Sequence, residues 1–314
     1  MGKIAFVFPG QGSQVVGMGK DLFDQYEPSA QVFHAADQKL GLSLSDIIFE
    51  GPKEELTLTH NTQPALLTTS TALLEHFTQF GIKADYVAGH SLGEYSALVA
   101  AGVLSFEDAV YAVRKRGEYM QEAVPAGNGA MAAILGLDRD KLMAVTEEVT
   151  NEGHSVQLAN LNCPGQIVIS GSKKGVEIAG ERAKEAGAKR AILLEVSGPF
   201  HSELMKPAAE RFSSVLAEVN LENAQVPVIA NVTAEPIEDK EEIKSKLVEQ
   251  LYSSVLWEDS VRKMMELGVD TFIEIGPGKV LAGLIKKIDR KVKVYSVYDM
   301  ETSNQVAEAL KGEN

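Results

Sequence analysis

Tyr86-Val87-Ala88-Gly89-His90-Ser91-Leu92-Gly93-Glu94 decides how this chain is read. Tyr86-Val87-Ala88 predicts a short strand, two glycines bracket a serine in a tight turn, and the apolar run that follows predicts a helix ending near Gly102. The same succession opens the chain, where Ile4–Phe8 runs without a polar residue into Pro9-Gly10-Gln11-Gly12-Ser13. A continuous apolar run closed by turn residues suits a strand covered on both faces, as in a parallel sheet. Helices are predicted over 64–80, with Pro64 in the favoured first turn and Gly81 as the stop, and over 106–123. Strand, turn and helix in repetition predict a doubly wound α/β sheet.

Between residues 129 and 197 the rhythm changes. Strands are predicted at Ala130–Leu135, Val156–Leu161, Gln166–Ser170 and Ala191–Val196, with helices over 138–151 and 173–186. That order is βαββαβ, a ferredoxin-like arrangement whose central hairpin turns at Asn162-Cys163-Pro164-Gly165. We therefore read 129–197 as a small inserted subdomain, and 1–128 with 198–314 as one discontinuous α/β domain. In the second half of that domain helices are predicted at 203–219 and 240–254, and strands at 226–230, 271–275 and 292–297.

Composition narrows the function classes. The 314 residues are 45% hydrophobic and 24% charged, which fits a globular protein of one or two domains. With 30 basic against 44 acidic side chains the formal charge is −14, contrary to what a general nucleic-acid binder needs. One cysteine, Cys163, excludes an intrachain disulfide and fits a reducing compartment. Only five apolar residues separate Lys3 from Pro9, too few for a secretory signal, and no run approaches the roughly 20 that a membrane span requires. A cytoplasmic protein, monomeric and off the membrane, is expected. The triplet Asn231-Val232-Thr233 has a glycosylation-like form that means little there.

Gly89-His90-Ser91-Leu92-Gly93 matches the G-x-S-x-G elbow, in which flanking glycines allow a sharp turn that presents the serine hydroxyl. The following helix would aim its free N–H groups at a developing oxyanion. A structural tight turn is the alternative. A serine nucleophile needs a base, and six histidines are available. His34 and His76 fall in helical patterns, His90 should face away from its neighbour Ser91, and His154 sits in a polar loop. His201, at the junction where the main domain resumes, is the favoured candidate, with His60 as competitor. No carboxylate stands out as a third member, and a backbone carbonyl or amide could orient the base instead.

On the helix predicted over 106–123, Ala109, Val113, Met120 and Val124 share one face, and Arg116 lies within it. A guanidinium in an apolar stripe is either paired structurally or held for an anion such as a carboxylate. Gly10-Gln11-Gly12 lacks the third glycine of a dinucleotide fingerprint, Gly276-Pro277-Gly278-Lys279 lacks phosphate-loop spacing, and no metal motif occurs.

Taken together, Phe8-Pro9-Gly10-Gln11-Gly12-Ser13-Gln14, Thr62-Gln63-Pro64-Ala65, Gly89-His90-Ser91-Leu92-Gly93-Glu94, Arg116-Gly117, Asn162-x-Pro164-Gly165-Gln166, Gly198-Pro199-Phe200-His201-Ser202, Gln250-Leu251 with Trp257, and Glu274-Ile275-Gly276-Pro277-Gly278 closely resemble malonyl-CoA:acyl carrier protein transacylases. They follow the family order across nearly the whole chain. The resemblance implies an α/β-hydrolase-like domain with a ferredoxin-like insert, and malonyl transfer from malonyl-CoA to acyl carrier protein without a cofactor. It implies Ser91 as nucleophile, His201 as base, backbone N–H groups of Gln11 and Leu92 as oxyanion hole, and the Gln250 carbonyl as orienter of His201. It further implies that Arg116 grips the malonyl carboxylate, that Asn160 and Asn162 lie near the substrate, and that Phe200 crowds an α-methyl group. A serine thioesterase or esterase with the same elbow, and a transacylase of different acyl choice, are the rival readings.

Carrier proteins of this kind are acidic, so a chain of charge −14 needs a local basic dock. Residues 279–293 hold six basic side chains against one acidic. Lys173, Lys174, Lys189, Arg190, Lys286 and Lys287 are the candidate docking patch, near the cleft between domain and insert; a solvated surface is the plain alternative.

Overall fold

The computed structural model describes residues 2–125 and 127–312, so the outermost positions of the predicted main domain, 1 and 313–314, lie outside it. Among the described residues the strands are β1 (Lys3–Phe8), β2 (Tyr86–Gly89), β3 (Gly129–Leu135), β4 (Val156–Cys163), β5 (Gln166–Ser172), β6 (Arg190–Leu193), β7 (Val228–Ile229), β8 (Pro236–Ile237), β9 (Val269–Ile275) and β10 (Lys293–Val297). They form a six-stranded sheet in the order β10-β9-β1-β2-β7-β8 and a four-stranded sheet in the order β4-β5-β3-β6. The large sheet is parallel except where β8 folds back on β7.

The unbroken apolar run of β1 is explained by its place in the middle of the large sheet. Phe6 and Phe8 join one core, with Leu67, Leu98, Val113 and Phe212, while Ala5 and Val7 join another, with Trp257, Val261, Leu281 and Ile285. Both faces are therefore covered by helices, and no polar residue is tolerated at any of the four positions.

The small sheet is antiparallel throughout, and its order is that of a ferredoxin-like βαββαβ unit. Its two helices, Arg139–Asn151 and Lys173–Glu185, cover one face through Leu142, Val149, Val176 and Ala179 against Ile134 and Ile169. The other face presents Met131, Ala159 and Val168 to the core of the large unit. The small sheet is thus a two-sided layer, and a cleft forms where its inner face meets the C-terminal ends of β1 and β2.

Several elements differ from the sequence reading; the strand expected at 226–230, for one, is confined to Val228–Ile229. The helix expected over 64–80 spans Thr59–Thr78, so Pro64 lies inside it rather than at its start. The ring removes the N–H that would bond the His60 carbonyl, and Arg114 supplies a donor to that carbonyl at 3.1 Å. The helix expected to reach residue 254 stops at Gln250, and β6 stops at Leu193 instead of Val196. Past Leu193 the chain turns, with the Val196 N–H donating to the Leu194 carbonyl.

Candidate active site

Parallel neighbours β1 and β2 end side by side, which brings the turn carrying Gln11 next to the turn carrying Ser91. The elbow is tight enough to require its glycines. A Cβ on Gly89 would stand 1.9 Å from the Gly93 backbone, and one on Gly93 would stand 2.1 Å from the Phe8 carbonyl oxygen. Ser91 itself adopts φ 53° and ψ −105°, a sparsely populated conformation for a side chain-bearing residue. Asn231 holds it there: its Oδ1 accepts from the Ser91 N–H at 2.7 Å and its Nδ2 donates to the Gly89 carbonyl at 2.7 Å.

Ser91 Oγ lies 2.8 Å from His201 Nε2, and His201 Nδ1 lies 2.8 Å from the Gln250 carbonyl oxygen. A carbonyl only accepts, so Nδ1 carries the proton and Nε2 is left to accept from the serine hydroxyl. The Gln250 carbonyl can serve because the helix ends there, where carbonyls lack an intrahelical donor. His201 is buried and also at positive φ, 57°. Burial, reinforced by the charge of Arg116 and opposed by the Gln250 carbonyl, pushes its pKa down to about 3, so the imidazole is a neutral base at pH 7.

Arg116, 1% exposed, reaches the same point from the helix Phe106–Glu122. Its Nη1 donates to Gln63 Oε1 at 2.8 Å, and its Nη2 donates to Gln250 Oε1 at 2.8 Å and to Ser91 Oγ at 3.1 Å. Its Nε is buried without a partner among the described residues. The stripe position is therefore neither a snorkelling side chain nor a direct ion pair; the guanidinium is held by amides, with a donor to spare.

Gln11, Leu92, Arg116, Asn160, Phe200 and His201 line one cavity of about 130 Å³ with Ser91, and His90, Met120, Met131, Leu194 and Val196 complete its wall. Leu92 opens the helix Leu92–Ala100, so its N–H is among the first-turn donors that have no intrahelical acceptor. Asn162 stands apart from this lining: its Oδ1 lies 2.8 Å from Nε2 of His90, which does border the cavity. His60 does not compete for the serine, since its Nδ1 meets Gln121 Oε1 at 3.1 Å. Gln11, Leu194 and Val196 also border a more open cavity of about 650 Å³, a route by which a long substrate arm could reach the serine.

Sequence reasoning missed Asn231, Gln63 and the role of Glu94. Asn231 was legible only as a glycosylation-like triplet, yet it is 1% exposed and clamps the elbow. Glu94 directly follows the elbow motif; it is 2% exposed and its Oε2 accepts from Gln250 Nε2 at 2.6 Å and from the Asn231 N–H at 3.2 Å. Among the described residues no group of three or more His, Cys, Asp or Glu side chains could hold a metal ion, and no helix is long and apolar enough to cross a membrane.

The sequence profile of the acyl transferase domain family matches residues 5–308. The chain belongs to that family. This acyltransferase is 64% identical over 314 residues to the malonyl CoA-acyl carrier protein transacylase of Bacillus subtilis (strain 168), covering 100% of this chain and 99% of the relative. Its fold matches an acyl carrier protein S-malonyltransferase from Vibrio cholerae with a TM-score of 0.95 and 47% identity, over 97% of this chain and 99% of that one. It matches equally well, at TM-score 0.95 and 45% identity over 98% and 99% of the two chains, a malonyl-transacylase solved in complex with its type II PKS acyl-carrier protein.

Proposed function

We propose that this acyltransferase moves the malonyl group of malonyl-CoA to the phosphopantetheine thiol of acyl carrier protein through a malonyl ester on Ser91, supplying fatty-acid chain elongation. One observation carries the reading: Ser91 Oγ lies within hydrogen-bond distance of a neutral imidazole and of a buried guanidinium at once. The first activates a nucleophile; the second selects a carboxylated acyl group.

His201 takes the Ser91 proton as the hydroxyl oxygen attacks the thioester carbonyl. The oxyanion is held by the N–H groups of Gln11 and Leu92, and collapse expels coenzyme A, whose sulfur receives the proton from His201. The carrier thiol then enters, gives its proton to His201 and attacks the malonyl ester, and Ser91 recovers that proton as it leaves. No electrons or extra groups are exchanged, so the chemistry calls for no cofactor. Arg116 grips the malonyl carboxylate in a two-pronged contact. Phe200 narrows the space beside the acyl α-carbon, a discrimination of about 1–3 kcal/mol per methyl. Asn160 borders the substrate, whereas Asn162 acts at one remove through His90.

The carrier protein docks by charge on Lys173, Lys174, Lys189, Arg190, Lys286 and Lys287. Supporting this, Lys189 and Arg190 lead directly into Ile192 and Leu193, 43% and 61% exposed, and then into Leu194 and Val196 of the cavity wall. A monomer working in the cytoplasm suffices for this role.

Intact-mass analysis after mixing with malonyl-CoA, with and without carrier protein, tests the function. A stable malonyl adduct that transfers only when carrier protein is added supports transacylation; steady release of malonate without carrier would make the protein a thioesterase.

A further inference from the structure

Arg116 is buried with its charge, yet among the described residues no carboxylate pairs with it directly within 4.0 Å. The side chain of Gln250 connects it to one. Its Oε1 accepts from Arg116 Nη2 at 2.8 Å, while its Nε2 donates to Glu94 Oε2 at 2.6 Å and to the Ser91 carbonyl at 3.1 Å. Glu94 thus fixes which way the amide points, and the amide in turn presents an oxygen to the guanidinium. A buried cation and a buried carboxylate face each other across one amide, and together they are neutral.

This balance cannot survive substrate binding unchanged. A malonyl carboxylate at Arg116 would bring a second anion into a desolvated site that holds one cation, and like charges sharing such a site resist joint ionisation. We propose that Glu94 is a positioning residue that serves as the counter-ion of Arg116 in the free enzyme and takes up one proton when the malonyl carboxylate replaces it. The inference rests on the reading of Arg116 as the malonyl clamp. Protonation leaves Oε2 free to keep accepting from Gln250 and Asn231, so the amide stays oriented while the charge is cancelled. The charged and titratable groups around Glu94 are Arg116 and, on its own helix, Tyr95; the bonds from Gln250 and Asn231 are neutral, and His201 contacts Ser91 instead. Burial raises the Glu94 pKa to about 7, against the pull of Gln250, Asn231 and Arg116, so a proton is available to it at working pH.

The test is proton uptake during loading. Wild type and Glu94→Gln are mixed with malonyl-CoA in weakly buffered solution at pH 8 with an indicator dye, and acyl-enzyme is counted by intact mass. Wild type should consume close to one proton more per malonyl-serine than the variant. Its kcat/KM for malonyl-CoA should fall about tenfold per pH unit above pH 7, while that of the variant stays flat, a slope that a purely structural role would not produce. Equal proton balances in the two proteins overturn the proposal. If Glu94→Gln does not fold, wild type alone decides: after subtraction of coenzyme A thiol ionisation, uptake should be close to one proton at pH 8 and near zero at pH 5.5, and equal uptake at both values overturns it. Absence of any malonyl adduct would instead defeat the transfer reading, and this inference with it.

Discussion

Arg116 Nη2 lies 3.1 Å from Ser91 Oγ, although Arg116 comes from the middle of a helix, fully buried, and Ser91 from the half-buried turn between β2 and the helix Leu92–Ala100. A guanidinium so close to a nucleophile discourages the protonated form of the neighbouring imidazole and marks where an anionic acyl group would lie. Specificity and activation therefore share one set of atoms.

Arg116→Ala should consequently lower kcat/KM for malonyl-CoA by at least 10²-fold, about 3 kcal/mol for a lost charge-assisted contact, while acetyl-CoA is affected far less. Competition between the two thioesters in single-turnover loading measures it. Equal losses for both would show that Arg116 supports the fold rather than the carboxylate.

Ser91→Ala should abolish the malonyl adduct and reduce transfer to a trace, with the fold intact because among the described residues Ser91 Oγ bonds only His201 and Arg116. Circular dichroism with intact mass separates loss of chemistry from loss of structure. Substantial residual transfer would move the nucleophile elsewhere.

Asn231→Ala removes the acceptor for the Ser91 N–H and the donor to the Gly89 carbonyl. Leaving such buried groups unpaired costs about 1–3 kcal/mol each, and relaxation of the elbow should lower kcat on the order of 10²-fold. Urea midpoints and loading rates give the two effects; a normal rate in the variant would mean the elbow holds its shape without Asn231.

The depressed pKa of His201 fixes a pH behaviour. Since the folded-state value is about 3, single-turnover loading at saturating malonyl-CoA should be flat between pH 5 and 8, where an imidazole at its ordinary value near 6.5 would lose activity. The unfolded chain binds this proton more readily, so the contribution of His201 to stability is complete above pH 6.5 and is lost progressively towards pH 3. Glu94 and Glu274, both raised by burial to about 7, act oppositely: their contribution is largest below pH 4.5 and declines as pH rises through 7. His201→Asn should therefore shrink the acid-side loss in urea midpoint; an unchanged pH profile of stability would place the folded pKa near its ordinary value.

Charge reversal at Lys189 and Arg190 should raise the KM for carrier protein severalfold and leave that for malonyl-CoA unchanged. Lys286 and Lys287 are less clean probes. The Lys286 ammonium donates to the Val292 and Arg290 carbonyls, and that of Lys287 donates to Gln166 Oε1 at 3.1 Å, so reversal there also disturbs the end of the helix Val280–Ile288. An unaltered carrier KM after reversing Lys189 and Arg190 would make that face plain solvated surface.

What could be read from the chain alone was whatever neighbouring residues encode together. The apolar run of β1, the glycines around Ser91 and the βαββαβ rhythm are local patterns, and each arises because a turn or a period of side chains must satisfy its own backbone. Arg116 was conspicuous for the same reason, as a charge in an apolar stripe. Pro64 shows where local reading ends: taken alone it marks a helix start, but Arg114, 50 residues later, repairs the bond its ring removes and lets the helix run through it. The orienting carbonyl of Gln250, the clamp of Asn231 and the link from Glu94 to Arg116 lie further still from any local signal. They join segments separated by as many as 156 residues, and depend on which strands lie side by side and where a helix happens to stop. Sequence period specifies each element and its buried face; only the packing of those faces decides which distant polar atoms are forced to satisfy one another in the dry interior, because there no water is available to do so.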